Sequence, residues 1–78
     1  MSQRLPTVTA KQLAKALERA GWRLARVTGS HHHFVHPAKR RAVVIPMHPG
    51  DLKRPLVAGV LKDAEITRDE FAKLLRGR

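Results

Sequence analysis

Apolar side chains recur along this 78-residue chain with two different periods, and the changes of period mark its elements. Leu13, Ala16, Leu17 and Ala20 follow the spacing of one helix face. Thr9 and Gln12 make a capping box at its start, Val8 and Leu13 can staple across that box, and Gly21 supplies the stop. The same device recurs near the end of the chain. There Thr67 pairs with Glu70, Ile66 can staple to Phe71, Leu74 and Leu75 continue the stripe, and Gly77 closes it. Between these helices the pattern becomes that of strands. Trp22–Thr28 reads as a strand rich in β-formers, Gly29-Ser30 as a tight turn, and His31–His36 as the returning strand closed by Pro37. Ala38–Arg41 is a basic loop, and Ala42–Ile45 is a third short strand ended by Pro46. A proline- and glycine-bearing segment, Pro46–Pro55, leads into a middle helix with Leu56, Val57, Val60, Leu61 and Ala64 on its apolar face. Pro55 suits the first turn of that helix, and Gly59 weakens its middle.

This order predicts one α+β domain over residues 1–78: a helix, a three-stranded antiparallel sheet, a helix and a short C-terminal helix. With so few elements the helices should cover one sheet face and leave the other open. No internal repeat or linker interrupts the pattern, and the length suits one modest core.

Charge narrows the choice of partner. Sixteen Lys and Arg stand against six Asp and Glu, a net charge of +10. Solubility of a small domain needs only about 2 to 8 units, so the excess points to a polyanion held at the surface. Nucleic acid is the first choice and an acidic protein the second. An anionic membrane fits less well, because no helix joins a basic face to large aromatic anchors. The chain has no cysteine, which excludes a disulfide framework and a thiolate zinc site. Met1–Ala10 lacks the apolar run of a signal peptide, and no stretch approaches the roughly 18 apolar residues of a membrane span. A cytoplasmic location is therefore expected.

The segment Gly29-Ser30-His31-His32-His33-Phe34 concentrates the candidate chemistry. With Phe34 as the core residue of a strand, His32 and His36 point to the helices or the rim, and His31, His33 and Val35 face the open side. His31 sits one step past a glycine turn, where a ligand can approach. Three readings compete. The histidines could be solvated or hydrogen-bonded without a task. They could hold a metal, since His31 and His33 share a face, although carboxylates near the strands are scarce and Asp51 is the exception. An affinity-tag remnant does not fit an internal run broken by Phe34. The third reading is acid–base cleavage of RNA, which carries its own nucleophile in the 2′-hydroxyl. Cleavage needs a base for that proton, an acid for the leaving 5′-oxygen, and cations for the charge on phosphorus. Histidine, lysine and arginine supply these without a metal or other cofactor, whereas a two-metal nuclease needs a carboxylate cluster that these scattered acids do not provide.

Basic residues lie where RNA phosphates could meet them. Lys11, Lys15 and Arg19 form one stripe on the first helix at four-residue steps, a pattern that an ordinary solvated face also produces. Lys39, Arg40 and Arg41 crown the loop after the histidine strand, and their expected closeness to the histidines favours a functional role. Lys53 and Arg54 precede the middle helix. Trp22 reads as a core plug between helix and strand rather than a stacking platform.

Taken together, Ala20-Gly21-Trp22, Gly29-Ser30-His31-His32-His33-Phe34, Pro46-Met47-His48 and Ile66-Thr67-Arg68-Asp69-Glu70-Phe71 resemble the HicA toxin family over about Leu5 to Leu75. The resemblance implies a double-stranded-RNA-binding-domain-like fold and an mRNA-cleaving toxin of a type II toxin–antitoxin system, held inactive by a HicB-like antitoxin. It also implies that the essential histidine is the one directly after Gly-Ser, here His31, with Gly29 and Ser30 as its supporting turn. Family members commonly carry Gly-Thr at the start of the second long helix. Here Arg54-Pro55 replaces them and removes an expected cap. The combined expectation is a metal-independent endoribonuclease with His31 as general acid or base and His33 or His48 as a second proton carrier. Lys39, Arg40, Arg41, Lys11, Lys15 and Arg19 are the candidates for RNA contacts. The alternative is a non-catalytic RNA-binding module on the same basic face.

Overall fold

The computed structural model of the protein describes residues 4–77. Its elements are α1 (Ala10–Arg19), β1 (Arg23–Thr28), β2 (His31–Val35), β3 (Val43–Pro46), α2 (Arg54–Ala64) and α3 (Arg68–Leu75). The strands form one antiparallel sheet in the order β1-β2-β3. This is the α+β, double-stranded-RNA-binding-domain-like order expected from the period changes.

Both capping boxes close. At α1 the Thr9 N–H donates to Gln12 Oε1 at 2.9 Å, and the Gln12 N–H donates to Thr9 Oγ1 at 3.2 Å. At α3 the Thr67 N–H donates to Glu70 Oε1 at 2.9 Å, and the Glu70 N–H returns to Thr67 Oγ1 at 3.1 Å. These pairs satisfy amides that the helix itself leaves without partners. The two boxes differ in one respect, because the third helical residue is a neutral amide in α1 and a carboxylate in α3.

Hydrogen bonds from the Thr67 amide and then its hydroxyl hold the Glu70 carboxyl below the usual carboxylate range. A depressed folded value stabilises above the unfolded pKa, and that stabilisation is lost as pH falls through the folded one. Thermal melts between pH 7 and pH 3 should therefore lose stability less steeply in Glu70→Gln, whose amide can still close the box as Gln12 does. An unchanged slope would show that Glu70 contributes nothing to acid sensitivity.

One cluster of buried apolar residues runs between the sheet and the helices. Phe34, Val43 and Ile45 supply the sheet side, Leu13, Ala16 and Leu17 come from α1, Val57, Val60 and Leu61 from α2, and Phe71 from α3. Both long helices rest on β3, and α3 packs on α1. Trp22 is only 3 % exposed and lies just before β1 rather than inside it. Sharing the core with the helices takes it out of the strand.

The lean toward β3 leaves β1 uncovered. All six of its residues are exposed, Leu24 at 44 % and Val27 at 53 %. Register also breaks within this strand: Leu24 pairs with Phe34 but Arg26 pairs with His33, so Ala25 is the extra residue of a bulge.

The start of α2 solves the missing cap differently. Lys53 offers no side-chain cap there. Pro55 in the first turn lacks an N–H and so leaves one fewer amide without a partner. Arg54 turns away, and its Nε donates to the Leu5 carbonyl at 2.8 Å, tying the N-terminal segment to the helix.

Candidate functional site

The turn between β1 and β2 consists of Gly29 and Ser30, flanked by the paired residues Thr28 and His31. Gly29 has φ +60°, as the first central position of a glycine-led hairpin turn requires. On the other side the Met47 N–H donates to the Ser30 carbonyl at 2.7 Å, fixing the turn to the end of β3. His31 follows directly, between Thr28 of β1 and Pro46 of β3, and is exposed.

Register sorts the five histidines into different environments. His31 and His33 share the open face, where His33 lies between Arg26 and Val44. The Nε2 of His33 is buried and has no hydrogen-bond partner. His32 lies on the helix-side face between Val27 and Ile45, its ring 6.5 Å from that of Phe34. His36 falls just beyond β2. Its Nδ1 accepts from the Ala38 N–H at 3.0 Å, and its ring meets Trp22 edge-on at 5.3 Å. A Cβ on Gly21 would come 2.8 Å from His36 Nε2, and Gly21 has φ +97°. The Gly-Trp pair and His36 thus lock the α1–β1 corner structurally. His48 is exposed on the segment after β3, one residue beyond Met47.

The basic residues divide as well. Lys39, Arg40 and Arg41 follow the far end of β2, and four residue steps, about 13 Å of strand, separate that end from His31. The loop expected near the histidines adjoins His36, whose carbonyl accepts from the Lys39 N–H at 3.0 Å, but lies away from His31, because an extended strand places its two flanking loops at opposite ends of the sheet. Lys39 Nζ pairs with Glu65 Oε1 at 2.8 Å. That hydrogen bond and the Lys39 charge hold the Glu65 carboxyl below its ordinary range. The loop lines a cavity of about 320 Å³ together with Asp63 and Glu65, so its field is mixed rather than purely cationic.

Along α1 the stripe separates by position. Arg19 Nη1 donates to the Leu74 carbonyl at 2.6 Å and so serves the end of α3. Lys15 and Arg19 line a cleft with Leu75 on that side. Lys11, at the start of α1, instead lines a cleft with Met47 and His48. Within the stripe it alone shares lining with a candidate histidine.

One basic residue that simple alternation misplaces now comes into view. Counting strictly from Trp22 would send Arg26 to the core side. The bulge at Ala25 reverses that and sets Arg26 opposite His33 on the open face, the side on which Arg23 already stands opposite Val35. Diagonal neighbours in an antiparallel pair lie about 7–8 Å apart, within reach of a long side chain. The Arg26 guanidinium can therefore approach a group held at His31. Among the described residues Arg26 takes part in no ion pair or side-chain hydrogen bond. Exposed His31 can exchange a proton, and cross-strand Arg26 can offset the charge of an anion beside it.

Among the described residues no three His, Asp or Glu side chains gather as a metal site, and no helix is long and apolar enough to cross a membrane. Residues 10–66 match the family model described as HicA toxin of bacterial toxin-antitoxin. No curated protein matches the chain.

Proposed function

The chain belongs to the HicA toxin family of bacterial toxin–antitoxin systems, and from that premise we propose that it is an endoribonuclease that cleaves mRNA in the cytoplasm. The observation that supports this most is an exposed imidazole, His31, beside a glycine turn on the sheet face opposite the core residues Phe34, Val43 and Ile45. Its cognate partner is an acidic, HicB-like antitoxin that binds the basic surface.

In this reading the RNA 2′-hydroxyl loses its proton and attacks the adjacent phosphorus. The bond to the 5′-oxygen breaks, and that oxygen takes up a proton. The products are a 2′,3′-cyclic phosphate and a 5′-hydroxyl. His31 serves as general base or general acid, and Arg26 offsets the negative charge that grows on the phosphate. Gly29 and Ser30 hold the turn that presents the imidazole. His33 or His48 carries the second proton, and neither a metal ion nor another cofactor takes part. Lys11 gives a salt-sensitive phosphate contact near the start of α1, while Lys15, Arg19, Lys39, Arg40 and Arg41 contribute farther along the molecule.

A non-catalytic RNA-binding module is the second reading. The buried Nε2 of His33 favours it, since it denies His31 an open proton carrier on its own strand. Incubating the purified full chain with mRNA in excess chelator separates the cases. The expected result is fragments ending in cyclic phosphate and 5′-hydroxyl. Bound but intact RNA would give the module reading, and cleavage only after adding a divalent ion would return His31 and His33 to metal binding.

A further inference from the structure

The geometry points to a nucleobase subsite in the cleft between the start of α1 and the segment after β3, an inference that rests on the RNA-cleaving reading and extends it. The cleft has a volume of about 450 Å³, and its lining includes Ala10, Lys11, Met47, His48, Pro49 and Gly50. Ala10, Met47 and Pro49 give apolar walls. Lys11 and His48 place a cation and an imidazole at the same opening. No carboxylate lines it, although Asp51 follows Gly50 directly and bridges to Thr9 at its edge.

Backbone contacts hold both walls to the frame that carries His31. The Met47 N–H bonds the Ser30 carbonyl at 2.7 Å, one residue before His31. The Leu52 N–H bonds the Val8 carbonyl at 2.8 Å, and Thr9 bridges to Asp51, so the segment between Met47 and Leu52 is anchored at both ends. Gly50, with φ +81°, makes the bend between these anchors, and its Cα faces open space. A cleft fixed in this way exists before any ligand arrives.

The occupant follows from chemistry and place. Single-stranded RNA is read by splaying a base onto an aromatic or apolar surface while polar groups meet its edge. Pro49 and Met47 offer the surface, His48 can stack or hydrogen-bond, and Lys11 suits the attached phosphate. RNA whose phosphate lies at His31 passes this end of the sheet, because Pro46 pairs with His31 and leads straight into the cleft. The subsite therefore takes a base flanking the broken linkage and makes cleavage depend on that base.

Isotope-labelled wild-type full chain is titrated with adenosine 5′-monophosphate, uridine 5′-monophosphate and ribose 5-phosphate while amide signals are followed by NMR. The nucleotides should move the Lys11, Met47, His48 and Gly50 signals, whereas ribose 5-phosphate should disturb Lys11 alone. His48→Ala and Lys11→Ala, both at exposed positions, should each weaken nucleotide binding, the former about tenfold. Equal shifts with ribose 5-phosphate would reduce the cleft to a phosphate site and overturn the inference. Shifts confined to Lys39–Arg41 would do the same. So would a fall in kcat for His48→Ala with nucleotide binding intact, which would make His48 a proton carrier instead. Cleavage of mRNA by the same sample without nucleotide shifts removes the subsite alone, whereas nucleotide binding with intact mRNA removes the catalytic reading alone.

Discussion

His31→Ala should lower RNA cleavage by about a hundredfold to ten-thousandfold, the range that a positioned general acid or base supplies. RNA binding should fall far less, because the cations that meet phosphate are elsewhere and remain. The side chain is exposed and follows the turn rather than packing in the core, so melting temperature should hardly move. Cleavage and binding measured on one preparation give the check, and an undiminished cleavage rate would remove His31 from the chemistry. His31→Gln is a useful companion, since it keeps a hydrogen-bonding side chain but cannot carry a proton near neutrality.

Arg26→Ala carries the second large expectation, a cleavage loss on the order of a hundredfold if its guanidinium meets the developing phosphate charge. Two further readouts distinguish this from a general loss of positive charge. The slope of log affinity against log salt should fall by about one if a phosphate contact goes. Arg26→Lys should recover part of the rate, because it keeps the charge but loses the planar fork. Lys39→Ala is the contrast. Lys39 pairs with Glu65 and lies past the far end of β2, so its loss should leave the cleavage step nearly unaltered. An equal penalty at Lys39 and Arg26 would indicate a diffuse field rather than a placed cation.

The fold was legible where local chemistry decides conformation. Thr9 with Gln12 and Thr67 with Glu70 announce two helix starts through hydrogen bonds made within four residues, and both form. Gly29 announces the hairpin because its positive φ suits few other residues. The face assignments in β2 also followed from Phe34, since alternation holds in a regular strand. What escaped depends on the partner strand. The Ala25 bulge shows only in pairing with β2, and without it Arg26 cannot be assigned to the histidine face. Likewise no spacing in the chain reveals that Glu65 reaches Lys39, or that Arg19 bonds the Leu74 carbonyl. Those contacts join residues 26 and 55 positions apart. For the site, the exposure of His31 was readable from its place after Gly-Ser. The separation of the Lys39–Arg41 loop from it needed the strand's length and direction.

The two long helices resting on β3 have a mechanical consequence for the proposed site. His31 sits on the middle strand, with its turn pinned to β3, whereas Arg26 belongs to an edge strand that pairs in the sheet with β2 alone and exposes all six of its residues. Segments with few packed neighbours open at low cost, so one flank is stiff and the other compliant. The imidazole stays in register with the frame, and the arginine side can give way to fit whatever polyanion arrives.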